Sequence, residues 1–240
     1  MDRGAGEVSR RLERVRERIE RARARAGRRD EVTLVAVCKT MPLPAVVAAV
    51  AAGQRDFGEN RIQDALPRVE ALPPLLRQAG LPADGPRWHF IGHLQGNKAR
   101  RAVGPFALLH AIDSAELARR LDAVAAERQR RQAVLLEVNL SREPQKAGVA
   151  AEAAPRLAAE IATLSHLDLQ GLMTMARLGA PERELRAVFA GLRDVAERAR
   201  TASGLPLAQL SMGMSDDFEI AVEEGATLVR VGTAIFGART

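Results

Sequence analysis

The chain has 240 residues, 47% hydrophobic and 28% charged, which is enough apolar side chain for a packed core and excludes a disordered polyelectrolyte. Lys+Arg 36 against Asp+Glu 30 leaves a formal charge of +6; that balance permits contact with nucleic acid or acidic lipid but does not bear on fold. The single cysteine, Cys38, rules out an internal disulfide framework and a cysteine-based zinc cluster, and a reducing cytoplasm is the expected setting.

Residues 1–8 precede the first apolar stripe and are expected to be flexible. Residues 9–27 then place Leu12, Val15, Ile19, Ala22 and Ala26 at helical spacing, with Arg and Glu between them, the pattern of an amphipathic helix. Its arginines could serve a nucleic-acid arm, but the neighbouring glutamates and the apolar stripe favour a solvated helix face. The same glutamates argue against a transit peptide, and no apolar run reaches the roughly 20 residues that span a bilayer.

Beyond this helix, short β-branched or apolar runs alternate with longer Ala/Leu/Arg stretches. Candidate strands are 33–39, 56–60, 88–94, 108–113, 134–140, 167–175, 207–212 and 228–232. Eight strands over this length give about 30 residues per unit, the size of a strand plus a covering helix, and a βαβ succession implies parallel strands. The expected fold is α/β: a single (β/α)8 TIM barrel over residues 9–240, preceded by the N-terminal helix. A doubly wound open sheet is the alternative. The opening helix is expected to cover the flank that a final helix would otherwise cover. The stretch 71–86, with Pro73, Pro74, Gly80, Pro82 and Gly85, reads as a loop-rich connection within the one domain.

The common catalytic signatures are missing: there is no P-loop, no G-x-S-x-G elbow, no H-E-x-x-H and no dinucleotide fingerprint. His89 and His93 have a metal-like spacing, but they sit on a strand and its end, and His110 and His166 read as hydrogen-bonded structural histidines. Lys39 differs. It closes the apolar run 33–39, and strand alternation puts it on one face with Val35 and Val37, Cys38 on the other. At the C-terminal mouth of a first barrel strand it occupies the active-site end. An amine in an apolar setting resists protonation, and a neutral amine attacks aldehydes to form imines. On position alone, a lysine that ends a strand and reaches for water is an equal reading.

The end of the chain tips that balance. Ser211-Met212-Gly213-Met214-Ser215 follows the seventh strand and Arg230-Val231-Gly232-Thr233 closes the eighth, where barrels build phosphate sites. Gly232 lets backbone amides approach an anion, Thr233 adds a hydroxyl at the start of a short helix, and Ser211 can donate from the neighbouring loop. Asp216, Asp217 and Glu219 read as capping chemistry. Arg230 shares a face with Gly232 and points inward, which calls for a ligand or an acid such as Glu59 or Glu137. Asn60, at the tip of the second strand, would border Lys39 from the other side, and reads equally as a turn residue. An imine-forming lysine, a phosphate seat and a basic group between them describe a pocket for pyridoxal 5′-phosphate (PLP).

Several motifs carry a specific resemblance, in order along the chain: Ala36-Val37-Cys38-Lys39-Thr40, Phe57-Gly58-Glu59-Asn60, Trp88-His89-Phe90-Ile91-Gly92-His93-Leu94-Gln95, Asn97-Lys98, Gly171-Leu172-Met173, Leu210 to Asp217, and Arg230 to Gly237. The sequence resembles the pyridoxal phosphate homeostasis protein family. That resemblance implies a barrel related to the N-terminal domain of alanine racemase, holding PLP without an established catalytic reaction. Carried over, Lys39 would form the Schiff base, Arg230 would face the pyridine nitrogen, Ser211, Gly232 and Thr233 would hold the phosphate, and Asn60 would line the ring. Lys146 matches a lysine that the family keeps near the pocket; it, Lys39 and Lys98 are the three lysines of an arginine-rich chain. The family often has Ser at the position of Cys38 and Tyr at that of Arg61, neither of them a proposed ligand.

A guanidinium donates only, so the ring nitrogen opposite Arg230 should stay unprotonated, a weak electron sink. The expected role is therefore a carrier or regulator of vitamin B6 and of amino-acid and keto-acid balance. Its partners would be PLP and PLP-dependent apo-enzymes, with no metal, membrane or nucleic acid, and the chain a cytoplasmic monomer. Two rival readings are a PLP-dependent amino-acid racemase or lyase, and an RNA-associated basic protein. A racemase needs acid–base groups on both faces of the substrate, and this chain has no tyrosine to match the second base of alanine racemase.

Overall fold

Alternation along the apolar runs decides the architecture. In the strand Thr33–Val37, Leu34 and Ala36 join the large core under the helices. Val35 points the other way, into a small cluster with Leu108, Leu135, Met173 and Leu228. Strands buried on both faces belong to a parallel sheet covered by helices. The computed structural model, which describes residues 3–141 and 147–237, closes that sheet into a ring.

The strands are β1 (Thr33–Val37), β2 (Asp56–Glu59), β3 (Arg87–Phe90), β4 (Leu108–Ile112), β5 (Gln132–Asn139), β6 (Val149–Ala150), β7 (Leu167–Met173), β8 (Gln209–Ser211) and β9 (Leu228–Val231). Their order is β4-β3-β2-β1-β9-β8-β7-β5, and a β4–β5 pairing completes the barrel. The short β6 pairs with β5 outside that ring. All pairings are parallel, so this is a (β/α)8 barrel. Each of the eight expected strands coincides with a barrel strand.

The helices are α1 (Arg3–Arg25), α2 (Leu43–Ala51), α3 (Ile62–Gln78), α4 (Ala99–Ala102), α5 (Ala115–Glu127), α6 (Ala154–Ala162), α7 (Glu182–Ser203), α8 (Phe218–Glu223) and α9 (Thr233–Phe236). Helix α1 buries Leu12, Val15, Ile19 and Ala22 and packs on α2, α8 and α9. It therefore covers the flank that the four-residue α9 is too short to cover. It starts at Arg3, earlier than the expected residue 9, because Val8 is buried one turn before Leu12; Ala26 lies past its end and is exposed. Its arginines engage acids, Arg18 with Glu219 at 2.7 Å and Arg25 with Glu223 at 2.7 Å, as a solvated helix face requires.

One expectation fails. Residues 71–78 are helical, not looped: α3 runs through Pro67, Pro73 and Pro74 to Gln78. Prolines remove helix hydrogen bonds, but Leu72 and Leu76, one turn apart, are fully buried. Their burial, with that of Ile62 and Ala65 on the same helix, favours the helix against the local propensity. The connection begins only after Gln78.

Candidate functional site

The carboxyl ends of β9, β1 and β2 form one edge of the barrel mouth. Register sets Val35 beside Arg230 and beside Asp56, and Val37 beside Gly58. Lys39 follows two residues beyond β1 and is half-buried. Asn60 follows β2 in the same way, also half-buried. Its carbonyl presses on Gly92 so closely that a Cβ there would meet it at 2.1 Å.

The turn that carries Lys39 is held from behind. Thr40 has a left-handed backbone, φ +67, which costs a β-branched residue on the order of 1–3 kcal/mol. Arg68 of α3 clamps it, donating to the carbonyls of Met41 at 2.6 Å and Cys38 at 3.1 Å. Arg68 also pairs with Glu59 at 2.9 Å, and Glu59 accepts from the Cys38 thiol at 3.3 Å. Glu59 thus faces the helices and is not the partner of Arg230. Burial first, and then the Glu59 charge, push the Cys38 thiol well up, so it is a packing group and not a nucleophile.

Across the seam, Gly232 packs against β1: a Cβ on it would meet the Val37 carbonyl at 3.2 Å. The Gly232 and Ala234 amides both donate to the hydroxyl oxygen of Ser215, at 3.2 and 3.4 Å. Two N–H groups converging on one oxygen, at the start of α9 with Thr233 between them, form a seat of the kind that binds anions. Asp217 accepts from the Met214 amide at 2.5 Å, and Glu219 pairs with Arg18. Asp217 stands at the N-cap of α8 but makes no side-chain bond to that helix, and Glu219 ties α8 to α1, so the expected capping by these acids is not what the structure shows.

Arg230 is buried, 3% exposed. It donates to the Ser211 hydroxyl at 2.6 Å and to the Thr174 carbonyl at 3.0 Å. Burial pushes its pKa down to about 10, with Asp217 and then Glu137 opposing, so it remains a cation. Glu137 projects inward from β5. Burial first, and then the Asp113 charge, push its carboxyl up to about 7 against the pull of Arg230. Of the two acids considered from sequence, Glu137 is the one that faces Arg230.

Ser211 is fully buried and bonded to Arg230 and to His110, at 2.6 and 2.9 Å. Its place is inside the barrel, below the mouth, while Ser215 is the serine at the amide seat. Sequence reasoning passed over that distinction, although both residues stand in one motif. Lys98 ends a short 3-10 turn, Gly96–Lys98, after β3; Lys146 lies outside the described residues. Among the described residues no helix is long and apolar enough to cross a membrane.

Fold and site together define a (β/α)8 barrel with a lysine, a buried arginine and an amide seat gathered at one mouth. The family model for the alanine racemase N-terminal domain matches residues 11–240. A pyridoxal phosphate homeostasis protein of Pseudomonas aeruginosa is 42% identical over 97% of this chain and 96% of its own. That of Escherichia coli K12 is 38% identical over 97% of each chain. Among solved structures, PipY of Synechococcus elongatus with PLP bound has a TM-score of 0.81 at 37% identity, covering 96% of this chain and all of that one. The chain belongs to the pyridoxal phosphate homeostasis protein family.

Proposed function

We propose that this protein holds pyridoxal 5′-phosphate at the mouth formed by β9, β1 and β2. It would serve as a cytoplasmic, monomeric carrier or regulator in vitamin B6 homeostasis, exchanging the cofactor with PLP-dependent apo-enzymes and so affecting amino-acid and keto-acid balance. The observation that carries the reading is the pair of amides, Gly232 and Ala234, converging on the Ser215 oxygen across the seam from Lys39. Two donors already meet there on a single oxygen, as they would on a phosphate oxygen.

PLP supplies an aldehyde that condenses reversibly with a primary amine. Lys39 provides the amine, on a turn that Arg68 fixes from behind. Gly232, Thr233, Ala234 and Ser215 take the phosphate, and Gly232 makes room for it because it has no side chain. Arg230 presents N–H donors to the ring nitrogen and, being a donor only, keeps that nitrogen an acceptor. Ser211 acts through Arg230 and His110 and does not touch the phosphate. Asn60 lines the ring beside Lys39.

The test is an absorbance titration of cofactor-free protein with PLP, then borohydride reduction and peptide mapping. The expected result is stoichiometric label on the peptide holding Lys39, none in a folded Lys39→Ala variant, and no solvent-deuterium exchange at the α-carbon of added amino acids. Label elsewhere, or no uptake of PLP, overturns the assignment; rapid α-exchange overturns the carrier role.

A further inference from the structure

The barrel interior holds a continuous line of polar side chains that local sequence pattern does not reveal. At the amino end, Arg87, 62% exposed, makes a bidentate pair with Asp56 at 2.9 and 2.7 Å. Asp56 then meets His89 Nε2 at 2.9 Å, His89 Nδ1 meets His110 Nε2 at 3.0 Å, and His110 Nδ1 meets the Ser211 hydroxyl at 2.9 Å. Ser211 accepts from Arg230 at 2.6 Å. His110 lies on β4 and Ser211 on β8, with β5 and β7 between them in the ring, so this bond crosses the barrel. The line joins the amino-terminal end of the barrel to the residue at its mouth.

The donors and acceptors can be arranged in one direction. Asp56 is held ionised: burial raises its pKa, but the bonds from His89 and Arg87 outweigh it and the net shift is down. A carboxylate accepts only, so His89 donates from Nε2. Neutral His89 then accepts at Nδ1 from His110 Nε2–H, His110 accepts at Nδ1 from the Ser211 hydroxyl, and Ser211 accepts from Arg230. Burial above all pushes the His110 pKa well down, in keeping with a neutral ring. Were His89 doubly protonated, His110 would have to donate from Nδ1 to a serine that already accepts from Arg230. The serine proton would then be left without an acceptor in the line, and a buried polar hydrogen left unpaired is costly.

We propose that Asp56, His89, His110 and Ser211 are positioning residues for Arg230. They form a one-way hydrogen-bond relay that fixes where the guanidinium points and which of its N–H groups remain for the cofactor ring. The inference rests on the PLP reading of the site. The carboxylate at the far end sets the polarity of the line, and Ser211 delivers it to Arg230 Nη1, while the Thr174 carbonyl takes Nη2. A change at Asp56, on the opposite end of the barrel from the amide seat, is thus felt at the mouth.

The first test needs no cofactor. Two-bond 1H–15N spectra of the cofactor-free chain at pH 7, assigned with His93→Gln and His166→Gln, should show His89 and His110 as Nε2–H tautomers. An Nδ1–H tautomer at His110 overturns the relay without touching the PLP reading. The second test is a double-mutant cycle of Asp56→Asn with Arg230→Lys, read as the dissociation constant for PLP and the absorbance maximum of the bound cofactor. Asp56→Asn should weaken binding about tenfold and shift the maximum in the wild-type background, and change the constant less than about twofold beside Arg230→Lys. An equal factor in both backgrounds, or no change in either, overturns the proposal. Wild-type protein that takes up no PLP overturns the reading beneath it, whatever the tautomers.

Discussion

Glu137 offers the most quantitative handle on the site, because its carboxyl is buried with no ion pair among the described residues and its pKa is pushed up to about 7 from 4.5. An acid with a raised native pKa binds more protons when folded, so folding stability falls as pH rises through the interval between the two values and levels off above it. At about 1.36 kcal/mol per pH unit the interval corresponds to about 3 kcal/mol. Below about pH 4.5 the group is neutral in both states and the penalty vanishes. Glu137→Gln keeps the shape and stays neutral throughout. In urea unfolding of cofactor-free protein, the variant should therefore gain on the wild type by about 2.5 kcal/mol between pH 5 and pH 8, the part of the titration interval that those two conditions bracket. A stability difference that does not change with pH, or that shrinks as pH rises, would show that Arg230 neutralises the cost of burying this charge and would refute the reasoning.

Three further outcomes follow from the same geometry. Ser215→Ala should weaken PLP about tenfold and pyridoxal, which lacks the phosphate, hardly at all, whereas Ser211→Ala should weaken both alike through Arg230; fluorescence titration with the two ligands separates the serines. Leu12→Ala empties a fully buried position under α1 and should cost about 2–5 kcal/mol in urea unfolding, since this helix closes the barrel flank. Gly213→Ala adds a Cβ at φ +90 that would meet the Ala221 Cβ at 2.6 Å and the Phe218 Cα at 2.9 Å. A loss of about 2–4 kcal/mol is expected there by thermal or urea unfolding.

The strands were legible because each is a β-branched or apolar run bounded by turn residues, and because burial on both faces needs no alternation of polar residues to mark it. Lys39 stood out for the related reason that it is a charged residue ending such a run, in phase with Val35 and Val37. The same phase reasoning applied to Phe57 would have turned Glu59 outward, toward Arg68 and the thiol. Other features depend on distances no local pattern encodes. His110 meets Ser211 only because the ring closes. Pro73 and Pro74 stay helical because Leu72 and Leu76 find a core. The choice between Ser211 and Ser215 for the amide seat depends on where β8 ends relative to β9, a matter of a few residues at the boundary of an element, where sequence reasoning is weakest.

On the proposed reading, the charge layout of the mouth favours capture over turnover. Arg230 is a buried cation held by the Ser211 hydroxyl and the Thr174 carbonyl, and on that reading its donors face the cofactor ring while the phosphate goes to the amide seat. Catalysis on an amino acid asks for something else: proton-transfer groups on both faces of the α-carbon, and a protonated ring to hold electrons. Arg230 holds its protons too tightly to transfer one to the ring nitrogen and has no lone pair to receive one. The histidine that leads to it is sealed in the barrel, its two ring nitrogens committed to His89 and Ser211, and the chain has no tyrosine to supply a phenolic base. The proposed relay behind Arg230 thus favours a fixed guanidinium over a mobile proton, which is what the proposed carrier role asks of the site.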